Sequence, residues 1–152
     1  MIKEISCGII PVMYEKGSVR FLLVFHRGGK HWGFPKGKKD EGESDLETAT
    51  RELREETGLE VVRFISQDPL IENYTFYKRF QRVRKTAIYF PAEVFGNLQK
   101  QEEEILEARW FSCQEAIERL SFQEAKEMCQ KVHLFISKDP LCQKSIDDSH
   151  IV

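Results

Sequence analysis

Glu52 and Glu56 are four positions apart and Glu55 is three from Glu52, so on a helix their carboxylates crowd one side. Like charges at that spacing repel by about 0.2–0.5 kcal/mol per pair, and near a helix C-terminus the macrodipole disfavours anions as well. A hard divalent cation would turn this repulsion into coordination. Mg²⁺ suits such a cluster, because it is held by a few carboxylates together with substrate phosphates. Arg51 then has work as the fixed partner that orients one of the glutamates. The alternative is a salt-bridged surface in which Arg51 and Arg54 neutralise the acids.

For the glutamates to share a side, residues 45–57 must be helical. Leu46, Ala49 and Leu53 fall at i, i+3 and i+7, which gives the helix an apolar stripe to bury. Gly58 follows at the position where helices end. Gly and Pro concentrate in the stretch Gly28 to Gly42 just before it, which marks a functional loop. Ahead of that loop, 7–13 and 20–25 read as β-strands joined by the turn Glu15-Lys16-Gly17-Ser18. Residues 61–65, 70–77 and 86–95 carry the β-branched and aromatic content of further strands, and 108–111 adds a short one. Ser112 is an N-cap for a helix over 114–120, and 122–136 forms a second helical stretch. The sum is an α/β sandwich: a mixed sheet with helices against it, in one domain over 1–152, with a tail after about 140 expected to fray.

At 152 residues with a formal charge of −2, the chain can bury a sizeable core, and bulk non-specific nucleic-acid binding is disfavoured. The cysteines at 7, 113, 129 and 142 have neither CxxC nor zinc-finger spacing, so reduced thiols are expected. No run approaches the roughly 20 apolar residues a bilayer demands, and a cytoplasmic location with no membrane partner follows by default.

Gly37, five residues, Glu43, seven residues, Arg51-Glu52-Leu53, one residue, Glu55-Glu56, one residue, Gly58-Leu59: this pattern resembles the complete box of the Nudix hydrolases. The resemblance implies the Nudix fold, an α/β/α sandwich with the box forming loop, helix and loop. It implies that Glu52, Glu55 and Glu56 ligate divalent ions, Mg²⁺ with Mn²⁺ as a possible substitute, and that the Gly37 carbonyl is a further ligand. Glu43 and Arg51 become supports. Glu52 is a candidate general base, although Nudix enzymes differ over which glutamate takes that role. The metal would neutralise a polyphosphate and activate water for in-line attack at phosphorus.

The segment His31-Trp32-Gly33-Phe34-Pro35-Lys36-Gly37, with later stretches at 45–49, 73–74, 85–89 and 104–110, is similar to asymmetric diadenosine tetraphosphate hydrolases. That likeness implies hydrolysis of diadenosine tetraphosphate to ATP and AMP by a monomer. It implies phosphate contacts from Lys36, Lys38 and Lys85, an extra metal ligand in Glu104 or its neighbour Glu103, Trp32 at the substrate, and an adenine clamp of Tyr74 with Phe135. By default these aromatics would be packing residues and the lysines solvated. The basic run from Lys78 to Lys85, with Phe80 inside it, favours an alternative RNA substrate whose 5′ pyrophosphate is removed, or else closes over a long polyphosphate. Another nucleoside-diphosphate derivative as substrate, or a Nudix-fold binding module without catalysis, are further readings. The intact box argues against the last.

Overall fold

The structure, a computed structural model, describes residues 1–138; the tail expected to fray lies outside them. Strand β1 (Ile2–Glu15) is the spine of the sheet. It turns at Lys16-Gly17 and pairs antiparallel with β2 (Ser18–His26), Glu15 opposite Ser18, as the turn residues predict. On its other side β1 pairs in parallel with β7 (Gln81–Phe95), from Ile2 opposite Val83 to Val12 opposite Glu93. Two strands so far apart in sequence can be joined in parallel only by a long crossover, and here the crossover contains the box.

The other strands are short or peripheral. The strands β3 (His31–Gly33) and β4 (Lys36–Lys38) lie inside the Gly- and Pro-rich stretch and pair antiparallel with β2 and β1. β5 (Glu60–Phe64) and β6 (Leu70–Lys78) pair antiparallel with β7, and β8 (Ile105–Ser112) with β2. The expected mixed sheet is therefore present, with one parallel pairing at its centre.

Alternation along the strands divides the core in two. From β1, Ile10 and Val12 face one side, and Cys7 and Ile9 the other. Helix α1 (Asp45–Thr57) covers the second face with Ala49 and Leu53, both fully buried, and with Leu46 against them. Helices α2 (Cys113–Arg119) and α3 (Gln123–Lys138) cover the first face with Ala116, Met128, Val132 and Ile136. This is the α/β/α sandwich. Among the described residues, no helix is long and apolar enough to cross a membrane.

The basic run lies in a hairpin and is mostly strand. β6 and β7 meet in a two-residue turn, Lys78 opposite Gln81, with Arg79 and Phe80 at φ 51° and 65°. Both central residues thus take the left-handed conformation that a tight hairpin requires, without the Gly or Asn that usually announces it.

Candidate active site

Helix α1 starts on a capping box: Ser44 Oγ accepts from the Glu47 amide, and Glu47 Oε1 accepts from the Ser44 amide, each at 3.1 Å. It stops at Gly58, whose φ of 77° lets its amide bond back to the Arg54 carbonyl at 2.9 Å. Between these ends the buried stripe fixes the rotation of the helix. That rotation sinks Glu52 and Glu56 to 8 % and 2 % exposure while Glu55 stays at the surface.

The sheet presses β4 over the same turn of helix. Gly37 sits opposite Cys7 of β1, and a Cβ on it would fall 2.0 Å from Glu52 Cδ. Only glycine leaves Glu52 its place. The third acid comes from the far side of the chain. Gln99 and Gln101 donate backbone hydrogen bonds to the carbonyls of Thr57 and Glu56, and the Glu104 carbonyl accepts from Arg27 at 2.8 Å. The segment 99–104 is thereby tied to the C-terminal end of α1, and carboxylate oxygens of Glu52, Glu56 and Glu104 come within 4.8 Å of one another.

Arg51 organises the outer side of this cluster. Its Nε donates to Glu43 Oε2 at 2.7 Å and its Nη2 to Glu43 Oε1 at 3.0 Å, while Nη1 reaches both Glu52 Oε1 and Glu55 Oε2 at 3.0 Å. Nη2 also donates to the Lys38 carbonyl at 3.0 Å. The planar fork of an arginine is suited to this; a lysine could not serve so many acceptors. Bonds from Arg51 and from the Asp40 amide hold the Glu43 carboxyl down at about 2. Arg51 itself is raised, first by Glu43.

The inner acids behave in the opposite way. Burial, and then Glu52 and Glu104, push Glu56 up to about 9, and burial raises Glu52 as well. Glu56 Oε2 accepts only a 3.2 Å bond from the Lys36 amide. Burial and its acidic neighbours thus oppose the ionisation of Glu56, and a cation among the three acids would favour it. Their oxygens also suit one in spacing, since opposite ligands of six-coordinate Mg²⁺ are separated by about 4 Å.

These acids line one wall of a cleft of about 630 Å³ that also receives Lys36, Lys38, Lys85, His26 and His31. Burial, with Lys85 nearby, draws Lys36 down to about 8. Its Nζ donates to Tyr74 Oη at 3.3 Å. His26 is buried and bonds through Nε2 to the Phe34 carbonyl at 3.1 Å, and His31 stacks on it with ring centroids 4.7 Å apart. Burial lowers the two imidazoles to about 3 and about 4. The cleft thus gathers acids and lysines in one place, a donor set suited to a divalent cation together with phosphates.

Most residues expected from the sequence converge here: Gly37, Glu43, Arg51, Glu52 and Glu56, with Lys36, Lys38, Lys85 and Glu104 joining them. Others are placed differently. Glu55 is outside the three-acid cluster and bonds Arg51. Trp32 is packed in the core against Phe25 and Phe111, with Arg119 over its ring at 5.4 Å, and its indole does not line the cleft. Tyr74 and Phe135 are not brought together. Phe135 lines a separate cleft of about 250 Å³ with Ile65, Leu70 and Val132, whereas Tyr74 stacks near-parallel on Phe122 at 5.9 Å. Sequence reasoning did not single out His26, Glu72 or Phe122. Phe122 lies in the short link between α2 and α3, and nothing in the local sequence reveals what its ring meets.

Comparison with known proteins agrees with this architecture. The NUDIX domain family matches residues 3–131. The chain is 38 % identical over 147 residues to the asymmetrical bis(5′-nucleosyl)-tetraphosphatase of Mus musculus, covering 89 % of this chain and 97 % of that one. It is 41 % identical over 104 residues to mRNA-decapping enzyme subunit 2 of Arabidopsis thaliana, covering 67 % of this chain but 26 % of that one. In fold it is similar to the C. elegans Ap4A hydrolase in a binary complex, with a TM-score of 0.70 at 20 % identity over 90 % of this chain and 99 % of that one. With the box helix, the buried acids and the arginine brace in place, and the family matched over nearly the whole described chain, this protein belongs to the Nudix domain family.

Proposed function

We propose that this chain hydrolyses dinucleoside polyphosphates, cutting diadenosine tetraphosphate asymmetrically with water to give ATP and AMP. The observation that carries the reading is the cleft itself, where the acids Glu52, Glu56 and Glu104 face Lys36, Lys38 and Lys85. The likeness to the mouse tetraphosphatase over most of both chains supports the choice of substrate.

The roles follow from the contacts. Glu52, Glu56 and Glu104 would hold the divalent cation, Mg²⁺ with Mn²⁺ as substitute, with the Gly37 carbonyl and Glu55 at its margin. When bound, such an ion neutralises phosphate charge and lowers the pKa of a water. Lys36, Lys38 and Lys85, which line the same cleft, bind phosphate oxygens. Arg51 and Glu43 hold Glu52 in one orientation through the 3.0 Å bond to Oε1. Glu52 Oε2, which Arg51 leaves free, takes the proton of the attacking water as the bond to the leaving phosphate breaks. We read the active unit as a monomer.

A second reading is removal of the 5′ pyrophosphate from RNA. It is favoured by the hairpin tip, where Arg79 and a fully exposed Phe80 lead back along Arg82 and Arg84 to Lys85 in the cleft. Incubation with Mg²⁺ and diadenosine tetraphosphate, beside 5′-triphosphorylated RNA at equal concentration, followed by chromatography, separates the two. Equal amounts of ATP and AMP, formed faster than RNA turns over, are expected. Two ADP molecules, or faster turnover of RNA, would overturn the first reading.

A further inference from the structure

The hairpin of β6 and β7 carries cations without counter-charges. Residues 73–86 hold Lys78, Arg79, Arg82, Arg84 and Lys85 and no acid. Register sets Tyr77 opposite Arg82 and Thr75 opposite Arg84, and on the other side of β7 it sets Arg84 opposite Lys3 of β1. Directly paired residues share a face of the sheet, so Lys3, Tyr77, Arg82 and Arg84 project together. Lys85 alternates to the opposite face and lines the phosphate cleft. The core under α1 takes Ile88, Phe90, Ala92 and Val94 of β7. Arg82 and Arg84 continue that same face past the helix, where both are exposed.

Two observations separate this patch from an ordinary solvated surface. Among the described residues, Lys3, Arg79, Arg82 and Arg84 have neither an ion pair nor a side-chain hydrogen bond, whereas Arg20, Arg54 and Arg63 hold Glu15, Glu60 and Glu93 at 3.3, 2.8 and 3.1 Å. The other observation is at the tip, where Arg79 and Phe80 take φ 51° and 65°. Bulky L-residues are strained in that conformation. The strained turn presents the Phe80 ring fully to water, and Tyr77 beside it is 73 % exposed.

Unpaired cations beside bare aromatic rings suit a chain of phosphates that also carries flat π-faces. An acidic peptide would use the cations and leave the rings idle, and a base-paired duplex would hide the faces of its bases. We propose that this outer face binds single-stranded nucleic acid, its phosphates on Lys3, Arg79, Arg82 and Arg84 and its bases stacked on Tyr77 and Phe80. The net charge of −2 does not oppose this, because the attraction comes from a local patch that holds no acid. The surface goes beyond the proposed hydrolysis and does not depend on which bond the cleft cuts.

The test is fluorescence anisotropy of a labelled 5′-hydroxyl oligouridylate titrated with the full chain, with EDTA present so that neither cleavage nor metal bridging contributes. Raising salt from about 50 to about 200 mM should weaken binding about 50-fold, as neutralising four phosphates of a single strand implies. Arg82→Ala combined with Arg84→Ala should weaken it by about tenfold or more. Phe80→Gly relieves the left-handed strain, so it should melt at the same temperature or higher and yet bind by about fivefold or more weakly, which keeps the test clear of misfolding. No binding by the wild-type chain, unchanged affinity in either variant, or a duplex or an oligoglutamate bound as tightly as the single strand overturns the proposal. Failure to hydrolyse diadenosine tetraphosphate would remove the proposed reaction and leave this surface standing, since the probe has no phosphoanhydride to cut.

Discussion

Arg51 grips Glu43 through both arms of its guanidinium, Nε to Oε2 at 2.7 Å and Nη2 to Oε1 at 3.0 Å, and its remaining arm steadies Glu52. Neither partner of the grip belongs to the three-acid cluster, so its contribution is orientation. Arg51→Lys keeps the charge and loses the fork. Activity on the polyphosphate is expected to fall by about 10–100-fold, as for other supports of metal ligands. Steady-state kinetics beside a thermal melt checks this, and a fully active Arg51→Lys protein would rule the role out.

Glu56 is a buried acid raised to about 9 by burial and by its acidic neighbours. Glu56→Gln keeps the shape of the neutral acid but cannot ionise to bind a cation. The metal-free protein should therefore melt at the same temperature or higher, while the stabilisation that Mg²⁺ confers on the wild type should largely vanish. Melts in EDTA and in excess Mg²⁺, run on both proteins, read this directly. An equal Mg²⁺ response in the two would contradict the assignment of Glu56 as a ligand.

At Gly37 even one methyl group is too much, since it would fall 2.0 Å from Glu52 Cδ. Gly37→Ala must displace that carboxylate, a side-chain movement that the fold tolerates. We expect a fall in kcat of at least tenfold with little change in thermal stability. Retained kcat would show that the position of Glu52 is not critical.

His26 gives a pH signature with a definite sign. Burial holds the folded imidazole at about 3, with His31, Lys36 and Lys85 adding to the effect, against 6.5 ordinarily. Below about pH 6.5 the unfolded chain takes up a proton that the folded protein refuses, so this group costs nothing at neutral pH and destabilises increasingly as pH falls toward 3. From pH 7 to pH 5 the wild type should lose about 2 kcal/mol more than His26→Gln, whose amide can still donate to the Phe34 carbonyl. Urea denaturation at the two pH values measures the difference. Parallel losses in both proteins would refute it.

What the sequence disclosed, and what it withheld, divides along a physical line. Helix α1 was legible because its stripe and its Gly58 stop are local; its equally local Ser44 capping box was not singled out. The box acids followed from spacing on that helix. Strands β3 and β4 were not anticipated: each is three residues long and exists only by register, β4 with the distant β1 and β3 with the nearby β2. Arg79 and Phe80 carry no turn signal that would mark the two-residue tip of the hairpin. Trp32 and Phe135 were expected at the substrate, yet an aromatic residue looks the same in sequence whether it meets a ligand, the core or, like Phe135, a separate cleft. Glu72 was not singled out because its burial is set by tertiary packing alone.

The parallel rungs between β1 and β7 also govern how the molecule comes into being. Ile2 waits for Val83, and Val12 for Glu93. Contacts spanning so much chain make closure of a sheet slow, because the entropy of the loop is lost before the contacts compensate it. During synthesis the box helix would therefore have only part of its docking face, that of β1, until β7 follows. Lys85 and Glu104 join the other lysines and acids only with that late pairing, so the nascent chain completes its chemistry near the end of its folding.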